Sequence, residues 1–334
     1  MDWRKGFTAE YYLTIVDVPT WRDTTHYGLQ SGTIKRDTSS LMQSADLTVP
    51  QFSDDREYWV RVWLNVQQQG SFDHVALFTG LSTSPEDETT YTKNKNSLEC
   101  YSVLKPADDV LLDRGWYAPQ GIKGSQLVKQ LLEVSPAPIV EEDHSPYLME
   151  SIIAEDGETR LTMSEKILKA INWRLRIDGR GVITICPKAN SPIVRINALD
   201  YDVIEPAIKR KSDWYKCPNV FRAIDDDLMG IARDDDPNSF LSTVNRGREV
   251  WMEESSWDLN TGESIADYAL RRLKEEQSYG VSSSYNRRFI PDLYPTDILY
   301  LHYPEQNLEG NFGVVSQSID LGFGARTSEE VVKL

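Results

Sequence analysis

Alternation of apolar and polar positions dominates the first hundred residues. Along 58–66, Trp59, Arg61 and Trp63 fall on one side and Val60, Val62 and Leu64 on the other. That period of two is what a strand imposes. The polar run 67–71, which contains Gly70, reads as a turn, and 74–83 returns as a second strand, so the pair predicts a β-hairpin within a small antiparallel barrel or sandwich. Further strands are expected over 11–16, 28–36, 47–50 and 98–104, with Pro50 closing one of them as a proline at an edge would. The polar stretch 85–96 reads as a loop.

Beyond residue 104 the period changes. Leu127, Val128, Leu131 and Leu132 form a helical stripe, with Ser125 as its expected N-cap and Pro136 and Pro138 beyond its end. Thr162-Met163-Ser164-Glu165 has the form of a capping box, and Ile167, Leu168, Ile171 and Leu175 follow at helical spacing, which predicts a helix over 164–173. Asp178-Gly179-Arg180-Gly181 then turns tightly into a strand at 182–187. Residues 105–195 therefore read as a small α+β module, and 197–220 carry no clear period. A third helix is expected over 264–277, with Ile265, Tyr268, Ala269 and Leu273 on its stripe and Gly280 as its break. Strands are expected at 222–224, 281–285, 297–303 and 311–321. The last two, taken with Gly310 as their turn, mirror the 58–83 hairpin and suggest a duplicated barrel.

Composition narrows the functional classes. The 334 residues carry 36 Lys and Arg against 52 Asp and Glu, a net charge of −16, which opposes gripping of nucleic acid and of anionic lipid. No leader peptide is expected from the first residues, and no apolar stretch of membrane-spanning length occurs, so no membrane insertion is expected. Cys100, Cys186 and Cys217 are widely spaced and odd in number, which fits buried thiols formed in a reducing cytosol.

Candidate chemistry is sparse. His26, His74, His144 and His302 stand apart, without metal-ligand spacing, and no two cysteines form a CxxC pair. Neither a GxSxG elbow nor a phosphate-binding glycine loop is present. The runs Asp225-Asp226-Asp227 and Asp234-Asp235-Asp236 could offer oxygen ligands to a hard cation, but they lack EF-hand spacing and read more simply as solvated turns. Trp59, Trp63 and Trp116 could stack on sugars or on a partner, with core packing as the plain reading. No catalytic, cofactor-binding or metal-binding residue is assigned, and no cofactor is expected.

The order of parts resembles the baseplate hub, or tail hub, proteins of bacteriophages and related injection particles. The resemblance is carried by the hairpin around Gly70 with Leu77-Phe78-Thr79-Gly80 on its return strand, and by the helix after Gly121-Ile122-Lys123-Gly124-Ser125. It continues in the 164–185 helix and hairpin, and in the 264–277 helix leading through Arg288-Phe289-Ile290-Pro291-Asp292-Leu293-Tyr294-Pro295-Thr296-Asp297 into a strand. Thr296 stands where family members commonly have glycine.

The resemblance implies an α+β, mainly β protein with two small β-barrel-like tail-hub domains and an inserted α+β module. These are expected at 1–104, 105–195 and 221–334, with 196–220 possibly completing the first barrel. It implies a homotrimer forming a pseudo-sixfold ring in the virion tail, assembled in the host cytoplasm. The ring's partners would be the hexameric tail tube protein, a trimeric spike or tip protein and possibly a tape measure protein, and DNA would pass through the channel without specific binding. The acidic balance suits a channel that does not trap phosphate. Some family members carry a further domain that cleaves cell walls; the chain ends soon after its last expected strand, so none is expected here. Two rival readings are a peptidoglycan hydrolase acting in cell entry and a tip protein that binds host glycans.

Overall fold

The computed structural model describes residues 1–50, 52, 56–83, 86–90, 93–198, 203–212, 214–225, 228–255, 263–278 and 281–334. Eight strands come first: β1 (Thr8–Asp17), β2 (Arg22–Gly28), β3 (Ser31–Arg36), β4 (Gln43–Val49), β5 (Trp59–Gln68), β6 (Ser71–Ser82), β7 (Glu86–Thr90) and β8 (Lys93–Ser102). A mixed segment follows, with α1 (Lys105–Asp109), β9 (Tyr117–Ala118), α2 (Gly124–Leu132), β10 (Ile139–Glu141), β11 (Ile152–Ile153), α3 (Arg160–Ala170), β12 (Trp173–Ile177) and β13 (Ile183–Pro187). Next are β14 (Val194–Asn197), β15 (Lys209–Ser212), β16 (Val220–Asp225), β17 (Leu228–Arg233), α4 (Thr243–Arg246), β18 (Trp251–Ser255) and α5 (Ile265–Ser278). The chain closes on β19 (Val281–Arg287), β20 (Ile298–Tyr303), β21 (Leu308–Asp320) and β22 (Thr327–Lys333).

One 14-stranded sheet organises the molecule, in the order β15-β19-β22-β21-β3-β4-β8-β6-β5-β1-β2, with β20 and β14 branching from β21 and β7 from β8. The protein is thus mainly β, as expected. The two strand groups, early and late in the chain, fuse edge to edge where β21 pairs with β3. Among the described residues no pairing closes the sheet into a barrel. The early half packs Leu13, Ile34, Val60, Val62, Leu64 and Phe78 into one core. The late half packs Leu299, Leu301, Phe312, Val314 and Val331 into another.

The expected 58–83 hairpin is β5 and β6, with Gln69 and Gly70 taking the left-handed conformations of its turn. The 85–96 stretch differs from the expected loop: β7 pairs with β8 from Glu86 to Thr90. The second hairpin also differs in its turn. Gly310 lies within β21, and the reversal falls at 304–307, where Asn307 is left-handed. Within the stretch between the module and β16, β14 runs parallel to β20 and β15 antiparallel to β19, both strands of the late half.

The 105–195 segment is α+β, as read. Its α2 and α3 pack Leu127, Leu131, Leu132, Ile167 and Leu168 against Ile183 and Ile185 of the small sheet β10-β13-β12. The expected caps shift by a few residues. Ser125 lies inside α2, which begins at Gly124, and its hydroxyl donates to Glu141. Helix α3 starts at Arg160, and its capping box is Thr159 with Thr162 rather than Thr162 with Glu165: the Thr162 N–H donates to Thr159 Oγ1 at 3.1 Å and the Thr159 N–H to Thr162 Oγ1 at 3.0 Å. The helix ends at Ala170, not Trp173, which opens β12.

Helix α5 matches its expected span within one residue; Ser264 accepts the Asp267 N–H at 3.1 Å, and Gly280 lies outside the described residues. The helix does not cover the large sheet. It packs Tyr268, Ala269 and Leu273 on Phe221, Ala223 and Ala232 of a separate three-stranded sheet, β17-β16-β18.

In the late half a buried ion pair replaces part of the apolar core. Glu329 takes Arg287 Nη2 at 2.6 Å and Nε at 2.9 Å, and also accepts from the Tyr285 hydroxyl at 2.8 Å and Gln317 Nε2 at 2.8 Å. Burial pushes the Glu329 carboxyl up, but the Arg287 charge and these donors outweigh it and hold the carboxyl below its ordinary value. A carboxyl lowered on folding contributes stability that is complete above its unfolded pKa and is lost as pH falls through its folded pKa. Urea unfolding followed from neutral to acid pH is therefore expected to show that loss. At neutral pH, Glu329→Gln is expected to cost about 3–5 kcal/mol, because it strands a buried guanidinium without its counter-charge.

Candidate functional site

The most densely bonded polar site is a structural joint. Strands β12 and β13 present the turn 178–181 to the large sheet, where its backbone meets β6. A Cβ on Gly179 would stand 1.8 Å from the Ala76 carbonyl oxygen, so only glycine permits the approach. The backbone groups of the turn then find partners in both halves of the sheet. From the early half, Thr79 donates to the Gly179 carbonyl at 2.8 Å, Arg61 Nη2 and Trp21 Nε1 each donate to the Arg180 carbonyl at 3.0 Å, and Gln43 Nε2 donates to the Ile177 carbonyl at 2.8 Å. From the late half, the Tyr294 hydroxyl accepts the Gly179 N–H at 3.2 Å.

Arginines brace this joint. Arg61 lies on the Trp59–Trp63 side of β5, as the alternation placed it, but it is buried and ion-paired with Asp23 at 2.8 Å. The same carboxylate accepts from Trp63 Nε1 at 3.1 Å and Thr14 Oγ1 at 3.1 Å. Arg36 and Arg176 stand over the Tyr294 ring, 4.5 and 4.6 Å from its centroid. Burial raises the Tyr294 pKa, opposed by the Arg36 charge, so the phenol remains protonated. Arg174 donates to Asp297 at 2.8 Å and to the Thr296 hydroxyl at 2.6 Å. Thr296 has φ 71°, a left-handed backbone that a β-branched residue adopts at a cost. The position where the resembling family has glycine is thus one whose geometry asks for it.

The carboxylates of the joint are engaged by structural partners. Asp23 is taken by Arg61 and Trp63, Asp178 Oδ1 accepts the N–H groups of Arg180 and Val182, and Asp297 holds Arg174 and the Tyr294 N–H. Among the described residues, no three His, Cys, Asp or Glu side chains gather where they could hold a metal ion.

The other singled-out residues do not converge. His26 stacks on Tyr12, His74 lies beside Trp63, His144 sits at a left-handed turn, and His302 meets Glu309 at 3.3 Å. Asp234 accepts from Ser239 and Gln277, Asp235 from Thr243 and Asp236 from Asn238, so this acidic run builds its own turn. In the other run Asp226 and Asp227 lie outside the described residues. Trp59 packs on Trp21 and, partly buried, on the module core, Trp116 is likewise partly buried against that core, and Trp63 is buried. All three cysteines are buried, as expected, and none is in a disulfide. Asp23 carries no signal in the sequence; Thr79 and Tyr294 lie within the segments that carry the resemblance, and the paired glycines of 178–181 mark the turn, but nothing local marks these residues as partners.

No described protein family matches the sequence, and no curated protein does. Solved structures do. A tail protein from Neisseria meningitidis MC58 superposes with a TM-score of 0.71 at 12% identity, over 98% of this chain and 96% of that one. A 43 kDa tail protein of prophage MuSo2 from Shewanella oneidensis gives 0.69 at 14% identity, over 98% and 97%. The Escherichia coli c3393 protein, a type VI secretion component described as similar to the phage T4 tail proteins gp27 and gp5, gives 0.54 at 7% identity, over 92% and 73%.

Gly179→Ala is expected to force the turn off β6 and break its hydrogen bonds, a loss of about 3 kcal/mol or more in urea unfolding. Gly115→Ala, at a left-handed position with open space around it, is expected to cost about 1–2 kcal/mol. Equal losses in the two variants would contradict the joint. The resemblance read from the sequence holds at the level of architecture: over nearly its whole length, this chain has the fold of phage tail proteins and of a type VI secretion component.

Proposed function

We propose that the chain is a non-catalytic building block of a phage-type tail, a hub ring set between tube and tip. The observation that carries this reading is one sheet built from two half-sheets fused at β3 and β21, with one core under each half and Phe289, Ile319 and Leu321 of the late half joining the early one, within a fold shared end to end with tail proteins. Two comparable halves per subunit allow three subunits to present six similar units, which suits a sixfold tube above and a threefold spike or tip below. In this reading residues 1–104 and the late strands form the two ring units, and 105–195 is a module clamped to both. The ring encloses the passage for DNA, and a tape measure protein would occupy that passage before ejection. Neighbours of the fold include a chain of the Francisella PdpA-VgrG complex, which supports a spike-type partner. The structural partners held by Asp23, Asp178 and Asp297 in the joint support a role without catalysis.

Negative-stain electron microscopy of the purified protein at high concentration is expected to give rings of threefold or apparent sixfold symmetry with a central hole. Compact single particles, together with clearing of cell walls in a zymogram, would overturn the proposal in favour of a hydrolase.

A further inference from the structure

One face of the large sheet is rich in short polar side chains. On β19 the core takes Ser283, Tyr285 and Arg287, so Ser282, Ser284 and Asn286 point the opposite way. Register carries that side across the neighbouring strands: Ser284 lies opposite Glu330 and Asn286 opposite Ser328 on β22, which in turn oppose Ser316 and Ser318 on β21. The face crosses the seam without a break, since Ser318 opposes Lys35 and Asp320 opposes Thr33 on β3. It continues through Ser44, Asp46 and Thr48 of β4, which oppose Tyr101, Glu99 and Ser97 of β8. At the far edge Lys209 and Lys211 of β15 oppose Ser284 and Ser282.

Seven strands thus share a polar face rich in serine, threonine and carboxylates, which also carries three lysines, Asn286, Tyr101 and Val332. Strands favour β-branched and aromatic residues, so a run of serines is not explained by strand stability. Nor is it a general habit of this chain's open sheets: the outer face of β17-β16-β18 carries exposed Met229, Ile231 and Trp251. The serine face is also hollowed, with a cleft of about 480 Å³ whose lining includes Lys35, Ser284, Ser318 and Ser328. Its charges nearly balance. Three lysines, Lys35, Lys209 and Lys211, meet four carboxylates, Asp46, Glu99, Asp320 and Glu330, and Lys35 is engaged by Asp46 at 3.0 Å. Gripping a duplex requires several unopposed cations on phosphates, and apolar groups would be needed to hold a protein partner. This face offers few of either.

We infer that this serine-rich face is the wall of the passage, the surface past which double-stranded DNA slides without being held. The inference rests on the ring reading above and specifies which side of the sheet faces inward. It is tested with single thiols at Ser328→Cys and, from the other half of the sheet, Ser97→Cys, each coupled to a maleimide gold cluster; both serines are exposed and the native cysteines are buried. Averaged end-on views of the rings are expected to show gold density at the central hole for both variants. Gold at the outer perimeter would overturn the inference while leaving the ring intact. A protein that forms no ring at any concentration, unlabelled as well as labelled, would overturn the ring reading, and the wall with it.

Discussion

The structure depends on a contact between two backbones at a distance no side chain tolerates. Gly179 presses on the Ala76 carbonyl, and that approach brings the carbonyls of Gly179 and Arg180 within reach of Thr79, Arg61 and Trp21. Buried backbone groups must be paired, so the side chains around the turn are chosen to be donors, and their own charges must be answered in turn, by Asp23 for Arg61. One close approach thereby dictates the composition of four strands. It also explains why the module is held rigidly although it forms its own core: its turn is hydrogen-bonded to both halves of the large sheet at once.

The second constraint is the fusion of the halves. Pairing β21 with β3 removes two sheet edges that would otherwise invite uncontrolled pairing, and leaves β15 and β2 at the ends of the path. The late half is steadied by the Arg287–Glu329 pair, which apolar residues of equal volume could replace without loss of stability. Its value lies in fixing partners: Tyr285 and Arg287 of β19 and Gln317 of β21 converge on the Glu329 carboxylate of β22, and a slipped register would leave charges buried and unpaired.

Legibility in the sequence followed the range of the interaction. The β5–β6 hairpin was readable because Val60, Val62 and Leu64 alternate with Trp59, Arg61 and Trp63, and α5 because its stripe and its start lie within a few residues. Short elements whose partners are remote were not: β15 is a basic run of four that becomes a strand only beside β19, and β14 is fixed by parallel pairing with β20. The polar 86–90 stretch likewise becomes a strand through β8. The capping box was displaced because Thr159 and Thr162 satisfy each other, a pairing of two threonines that the usual Ser/Thr with Glu pattern does not cover. The joint was the least legible part, since its donors lie some 100 residues or more from the turn they serve, from Trp21 to Thr79.

Assembly into a ring is the claim on which the functional account stands, and sedimentation equilibrium of the purified chain over a wide concentration range tests it most directly. The account predicts a species of three times the 38.2 kDa protomer mass, growing with concentration at the expense of the monomer. A single protomer mass at every concentration, unchanged by added tail tube protein, would contradict it.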